Sequence, residues 1–283
     1  MFLMMRLVFL NSLADRISAA ERKGRRTVGL FPRFDEEERS PDAPRKTGFP
    51  RFWQILRRDI WDIFKAGFLA LLGSLPFLAG VFFAAGTHAV LTALLAGLIG
   101  GAVAGPELCA LADTLLRSLR DDPVTGWGAY RRAWRRSARA ALLPGALTGV
   151  LLSTQVFILA HGEVFQLSLP VNMALILGML FLLGMSLYLW PQLALMELSL
   201  GQLIKNSALL FIGQLPRTAA ALAVLAAYIL LSLRFFAFAL SLLPVTNLWL
   251  PALPALFLVY PGLEQAFQIE ERFREAPRAP EDA

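Results

Sequence analysis

The sequence predicts an all-α protein, a polytopic transmembrane bundle of about six spans carrying a cytoplasmic amphipathic segment rich in arginine and tryptophan. Three observations carry this expectation. Hydrophobic residues make up 57% of the 283-residue chain, and its mean hydropathy of +0.57 is far above what the core of a soluble domain requires. The apolar residues fall in runs, several of them near the roughly 20 residues that carry a helix across about 30 Å of hydrocarbon. Those runs lack the two-residue alternation of a barrel strand, and lipid offers the backbone no other hydrogen-bond partner.

Residues 1–50 read as a polar, largely disordered N-terminal region, residues 51–263 as the transmembrane domain, and residues 264–283 as a polar tail. The expected spans are 61–84, 88–104, 140–160, 171–193, 218–240 and 248–260, the last short and rich in proline. The leader 1–27 has an apolar run interrupted by Arg6 and Asn11, too short to span and without a clean cleavage site. Its Val28 boundary suggests a reading-frame extension; the alternative is a peripheral amphipathic helix carrying Leu7, Leu10 and Leu13.

Orientation follows from lysine and arginine. Residues 1–65 carry 14 of them and residues 117–139 carry seven, whereas the loops around His88, Gly162 and Thr246 carry none. Six spans with both termini cytoplasmic collect these clusters on one side of the membrane. Arg234 alone is awkward, within the fifth span or snorkelling from it.

The stretch GPELCALADTLLRSLRDDP, residues 105–123, places acids beside the second span. Gly105 and Pro106 are expected to break the helix, with Glu107 at a new helix start facing the positive dipole end. Asp113 is four residues from Arg117 and seven from Arg120, so the three are expected on one face as an ion-paired group. Glu107 lies about 120° from Asp113 on a helical wheel. Capping and snorkelling account for both acids; the alternative lines an ion or substrate path with them.

In GWGAYRRAWRRSARAALLPG, residues 126–145, Trp127, Tyr130 and Trp134 share one face, while Arg131, Arg132, Arg135, Arg136 and Arg139 carry the charge. This reads as an interfacial helix anchored on anionic lipid, or as a docking surface for an acidic partner. Small residues recur every fourth position, at Gly97, Gly101 and Gly105 and again at Gly145, Gly149 and Ser153. Such rows let spans two and three approach closely, with a homodimer contact as the alternative. Residues 106–121 also echo residues 191–206, as a parallel two-span repeat would.

Catalytic and metal signatures are not found: there is no phosphate loop, HExxH, GxSxG or GxGxxG. The single cysteine, Cys109, excludes an internal disulfide framework. His88, His161 and Glu163 fall on the outer side and read as loop residues; Glu197, Lys205 and Asn206 read as a solvated helix surface. The net charge of +6 flanks hydrophobic spans, which favours lipid headgroups over nucleic acid. No cofactor is expected.

Several segments together resemble a known family. GFPRFWQILRRDIWDIFKAGFLALLGSLP, the Gly105–Pro106 step, LLRSLRDDP, YRRAWRR and LIKNSALLFIGQLPRT are similar in order and spacing to the YesL-like (DUF624) membrane proteins of bacteria, over roughly residues 29–270. The chain departs from that pattern at Glu107-Leu108-Cys109, where small residues commonly follow the Gly-Pro step. The resemblance implies a multi-pass helical protein of the bacterial inner membrane, of uncharacterised activity and often encoded beside carbohydrate uptake transporters, and it offers no catalytic residues to carry over; the expected role is a non-catalytic accessory or partner of the permease subunits of an ABC-type carbohydrate importer. The alternative is a small transporter or channel in its own right.

Overall fold

The structure is a computed structural model that describes residues 47–122 and 126–275, all of them in the unit Arg45–Ala283. The expectations for the leader and for residues 276–283 lie outside the described residues. Every regular element described is helical: α1 (Phe49–Gly86), α2 (Val90–Arg120), α3 (Gly126–Ala160), α4 (Leu169–Leu195), α5 (Leu200–Gly213), α6 (Leu215–Arg234), α7 (Phe236–Thr246), α8 (Trp249–Phe267) and α9 (Ile269–Glu275). Helices α1 to α4 and α6 are each long and apolar enough to cross a membrane. The pair α7 and α8, bent by 70°, adds a sixth if it is counted as one broken span. The protein is therefore an all-α, multi-pass membrane bundle.

Helix α2 lies at the centre, packed along α1 and α3 and touching α4. Of its most apolar window 56% is buried, against 11–33% in the other four spans. Pro106 stands inside it without ending it. In lipid a broken backbone would leave unpaired amides, so the helix persists through the proline. The irregularity falls one to two turns earlier, as a π-helical turn at Ala96–Gly100, and this corrects the break expected at Gly105 and Pro106.

The glycine rows explain why α2 and α3 lie so close. A Cβ on Gly101 would stand 2.5 Å from the Gly145 carbonyl oxygen and 2.8 Å from the Gly149 Cα. Gly97 meets Val150 and Ser153, and Gly105 meets Ala141 and Gly145. Both rows are packed against each other within the chain.

Two boundaries differ from the sequence expectation. The fifth span stops at Arg234 instead of running to 240, because Phe235 leaves helical geometry at φ −118° and ψ 47°. Arg234 ends the uncharged run and lies 5.5 Å over the Phe235 ring; a helix carried on through it would draw a guanidinium into hydrocarbon. The last helix, by contrast, passes through Pro254 and Pro261 to Phe267, beyond the expected end at 260 and into the expected tail. The bend before it is fixed by buried Asn247, whose Oδ1 accepts the Trp249 amide at 3.0 Å.

The 106–121 echo does not extend to conformation. Helix α2 is continuous from Gly101 to Arg120, whereas α4 ends at Leu195 and α5 begins at Leu200. Ser199 starts α5 with a reciprocal capping box to Gln202. Helix α5 then returns along α4, with Gln192 Nε2 donating to Ser207 Oγ at 3.1 Å.

Candidate functional site: a charged helical platform

Residues 66–86 of α1 and 140–160 of α3 are each 21 residues without a charge, or about 31 Å of helix, the thickness of a hydrocarbon core. The remaining turns of α1, α2 and α3 continue past that boundary at one end. There they carry most of the ionic contacts described.

On α1, positions 51, 55, 59, 63, 66 and 70 form one buried stripe, and two of them are Arg51 and Asp59. Arg58, beside that stripe, donates from Nη2 to Asp59 at 2.7 Å and from Nη1 to Asp121. Arg51 reaches the other Asp121 oxygen at 2.6 Å. Ser118 donates to Asp59 at 2.6 Å, and the carbonyls of Ser118 and Leu119 accept from Arg58 and Arg51. Asp121 follows the last turn of α2 in the left-handed region, φ 66°, a conformation aspartate tolerates better than most residues. Burial alone would raise its carboxyl, but the hydrogen bonds and charges of Arg51 and Arg58 outweigh burial and hold it below the ordinary carboxylate value.

About two turns inward from Asp121, Asp113 is buried and accepts from Arg117 at 2.7 Å and from Arg136 of α3 at 3.0 Å. Arg136 also donates to the Ala194 carbonyl at 3.1 Å, so this one carboxylate links α2, α3 and α4. Arg120, expected beside Asp113, instead pairs with Asp122 at 3.0 Å: the chain leaves α2 at Asp121 and brings Asp122 back over the last turn. Glu107 is separate from this group. It accepts the Tyr130 hydroxyl at 2.5 Å and packs against Gly73, where a Cβ would collide with its side chain.

The Arg/Trp-rich segment is not a separate helix in the membrane plane. It forms the first turns of α3, continuous with the third span, because its alanine-rich junction at 138–142 contains nothing that ends a helix. Its faces are correspondingly rearranged. Tyr130, expected at headgroup depth, is buried against α1 and α2, whereas Trp127 and Trp134 are exposed. Arg136 is drawn into the Asp113 pair. Arg131, Arg132, Arg135 and Arg139 are exposed, and among the described residues no ion pair involves them.

At the opposite end His88 and His161 lie with ring centroids 4.7 Å apart, and His161 Nδ1 is 2.9 Å from the Phe157 carbonyl. Glu163 is exposed beyond them, and among the described residues no group of three metal-ligating side chains occurs. Glu197 and Lys205 are exposed, Asn206 half-buried. Cys109 is a buried thiol.

Sequence reasoning missed the Arg51–Arg58–Asp59–Asp121 network. A signal was present: charged residues occupy the same helical stripe as Ile55, Ile63 and Ala70, and a charge on an apolar stripe calls for a buried partner. No family model, curated protein or solved structure matches the chain.

Proposed function

We propose that this chain is a non-catalytic accessory subunit of a membrane complex, docking a partner through the first turns of α3. One observation supports the reading above others. The basic residues facing inward are matched by carboxylates, while Arg131, Arg132, Arg135 and Arg139 are held outward. Arg139 adjoins the hydrocarbon boundary, within reach of anionic headgroups. Arg132 is seven residues further along α3, about 10 Å of helix, which sets it nearer the exposed end of the helix and within reach of acidic side chains on another protein.

The asymmetry of lysine and arginine supports placing this end in the cytoplasm, and the resemblance noted above supports a bacterial inner membrane. The resemblance of segments such as YRRAWRR and LIKNSALLFIGQLPRT to YesL-like proteins makes the permease subunits of a carbohydrate importer the partner of choice. A transporter would instead need carboxylates open to a pathway. Glu107 is engaged by Tyr130, and Asp113 by Arg117 and Arg136.

Replacing Arg131, Arg132, Arg135 and Arg139 together with Gln should leave the bundle intact and reduce co-purified permease in mild detergent. At about 0.5 kcal/mol per lost rim contact, the summed effect is on the order of 30-fold. Unchanged recovery would contradict the docking role. Sugar flux in liposomes holding only this chain, abolished by Glu107→Gln, would establish the transporter reading in its place.

A further inference from the structure

At the end of the bundle opposite the charged platform, histidines from two different turns meet. His88 stands between α1 and α2 and is exposed; His161 follows the last residue of α3 and is 7% exposed. Their ring centres lie 4.7 Å apart. Phe157, buried with Ala84 and Ala93, packs its ring 4.3 Å from that of His161, so the buried imidazole has a fixed seat.

One contact decides what that ring offers. His161 Nδ1 is 2.9 Å from the Phe157 carbonyl oxygen, which can only accept, so Nδ1 carries the proton and Nε2 keeps its lone pair. A backbone carbonyl holding the far nitrogen is the usual support of a metal-binding imidazole. Among the described residues no hydrogen bond or ion pair engages His161 Nε2 or the His88 ring. Neither segment carries a lysine or arginine within 20 residues of its histidine, so neither brings a charge that repels a cation.

The spacing selects the ion. A metal about 2.0–2.1 Å from a ring nitrogen stands about 3.2 Å from that ring's centre, so centres 4.7 Å apart subtend about 95° at the metal. That is the cis angle of a tetragonal site with nitrogen and oxygen ligands, the geometry of copper(II) or nickel(II), and copper(II) stands highest in the affinity order of divalent ions.

We propose that His161 Nε2 and one nitrogen of His88 bind a divalent late transition-metal ion, copper(II) by preference, with water in the remaining positions. The ion ties the α1–α2 turn to the end of α3. The site lies away from the docking arginines and does not rest on their role.

Electron spin-echo spectra and a copper(II) titration of the untagged full chain in detergent test the proposal. The chain holds two histidines, so every imidazole signal comes from this pair. Wild type should bind one copper(II) per chain with two imidazole nitrogens in its equatorial plane. His88→Gln changes an exposed side chain; it should leave one imidazole and raise Kd at least about tenfold, the lower end of what loss of a group supporting a metal costs. Protection of Cys109, buried in the folded chain, from a thiol-reactive dye confirms that each variant is folded. A single imidazole or none in wild type, or an unchanged Kd in folded His88→Gln, would overturn the proposal.

Discussion

Replacing Gly101 with leucine should destroy the fold, the largest effect expected of any single substitution in the membrane-embedded part. A β-carbon there already stands 2.5 Å from a carbonyl oxygen and 2.8 Å from an α-carbon of α3, so backbone must move, and rotamer changes give no relief. Overpacking a core ordinarily costs about 1–3 kcal/mol. Here the extra atoms also separate two helices whose attraction in lipid is close contact and little else, so a loss at or above the upper figure follows. The chain supplies its own reporter. Cys109 is the single cysteine and is 1% exposed, so a thiol-reactive dye reads its release on heating. Gly101→Leu should react at once or melt far below wild type. Gly213→Ala, with nothing within 4 Å of the new atom, should melt with wild type.

Asp59→Ala should have the second largest effect, because it leaves the Arg58 guanidinium, 4% exposed, without one of its two carboxylates and removes the acceptor of the Ser118 hydroxyl. Breaking a buried pair from one side costs about 3–5 kcal/mol. Lys65→Gln, which removes an exposed pair, should cost under about 1 kcal/mol. The same network sets an acid limb. The folded-state value of Asp121 lies below its unfolded one. Its contribution is therefore complete above the ordinary carboxylate range and is lost as pH falls through the lowered value. Asp121→Asn should lower stability at neutral pH and flatten the decline in acid. An acid limb unchanged by Asp121→Asn would show that other carboxylates set it.

The elements legible in the sequence were those governed by local pattern. Small residues at 97, 101, 145 and 149 share one face at a spacing of four, and close approach is what such a face permits. The Asp113–Arg117 pair was legible because its spacing is one helical turn. The π turn at Ala96–Gly100 was not, since its glycines read as helix-packing positions and the nearby proline drew attention about two turns too late. Tyr130 was misplaced for a different reason: a helical wheel groups it with Trp127 and Trp134, but the partner that buries it, Glu107, is 23 residues away. Asp121 could not be linked to Arg51 and Arg58 from sequence, because that contact depends on the antiparallel register of α1 and α2.

The account depends most on α1, α2 and α3 projecting their charged turns from the cytoplasmic face, and sidedness labelling tests this directly. Glu163→Cys and Arg132→Cys each place an exposed thiol at one end of α3, while buried Cys109 stays silent in the folded protein. In intact bacterial cells a membrane-impermeant maleimide should label Glu163→Cys at once and Arg132→Cys only after permeabilisation. Labelling of Arg132→Cys in intact cells, with Glu163→Cys protected, would contradict the orientation and the docking function built on it.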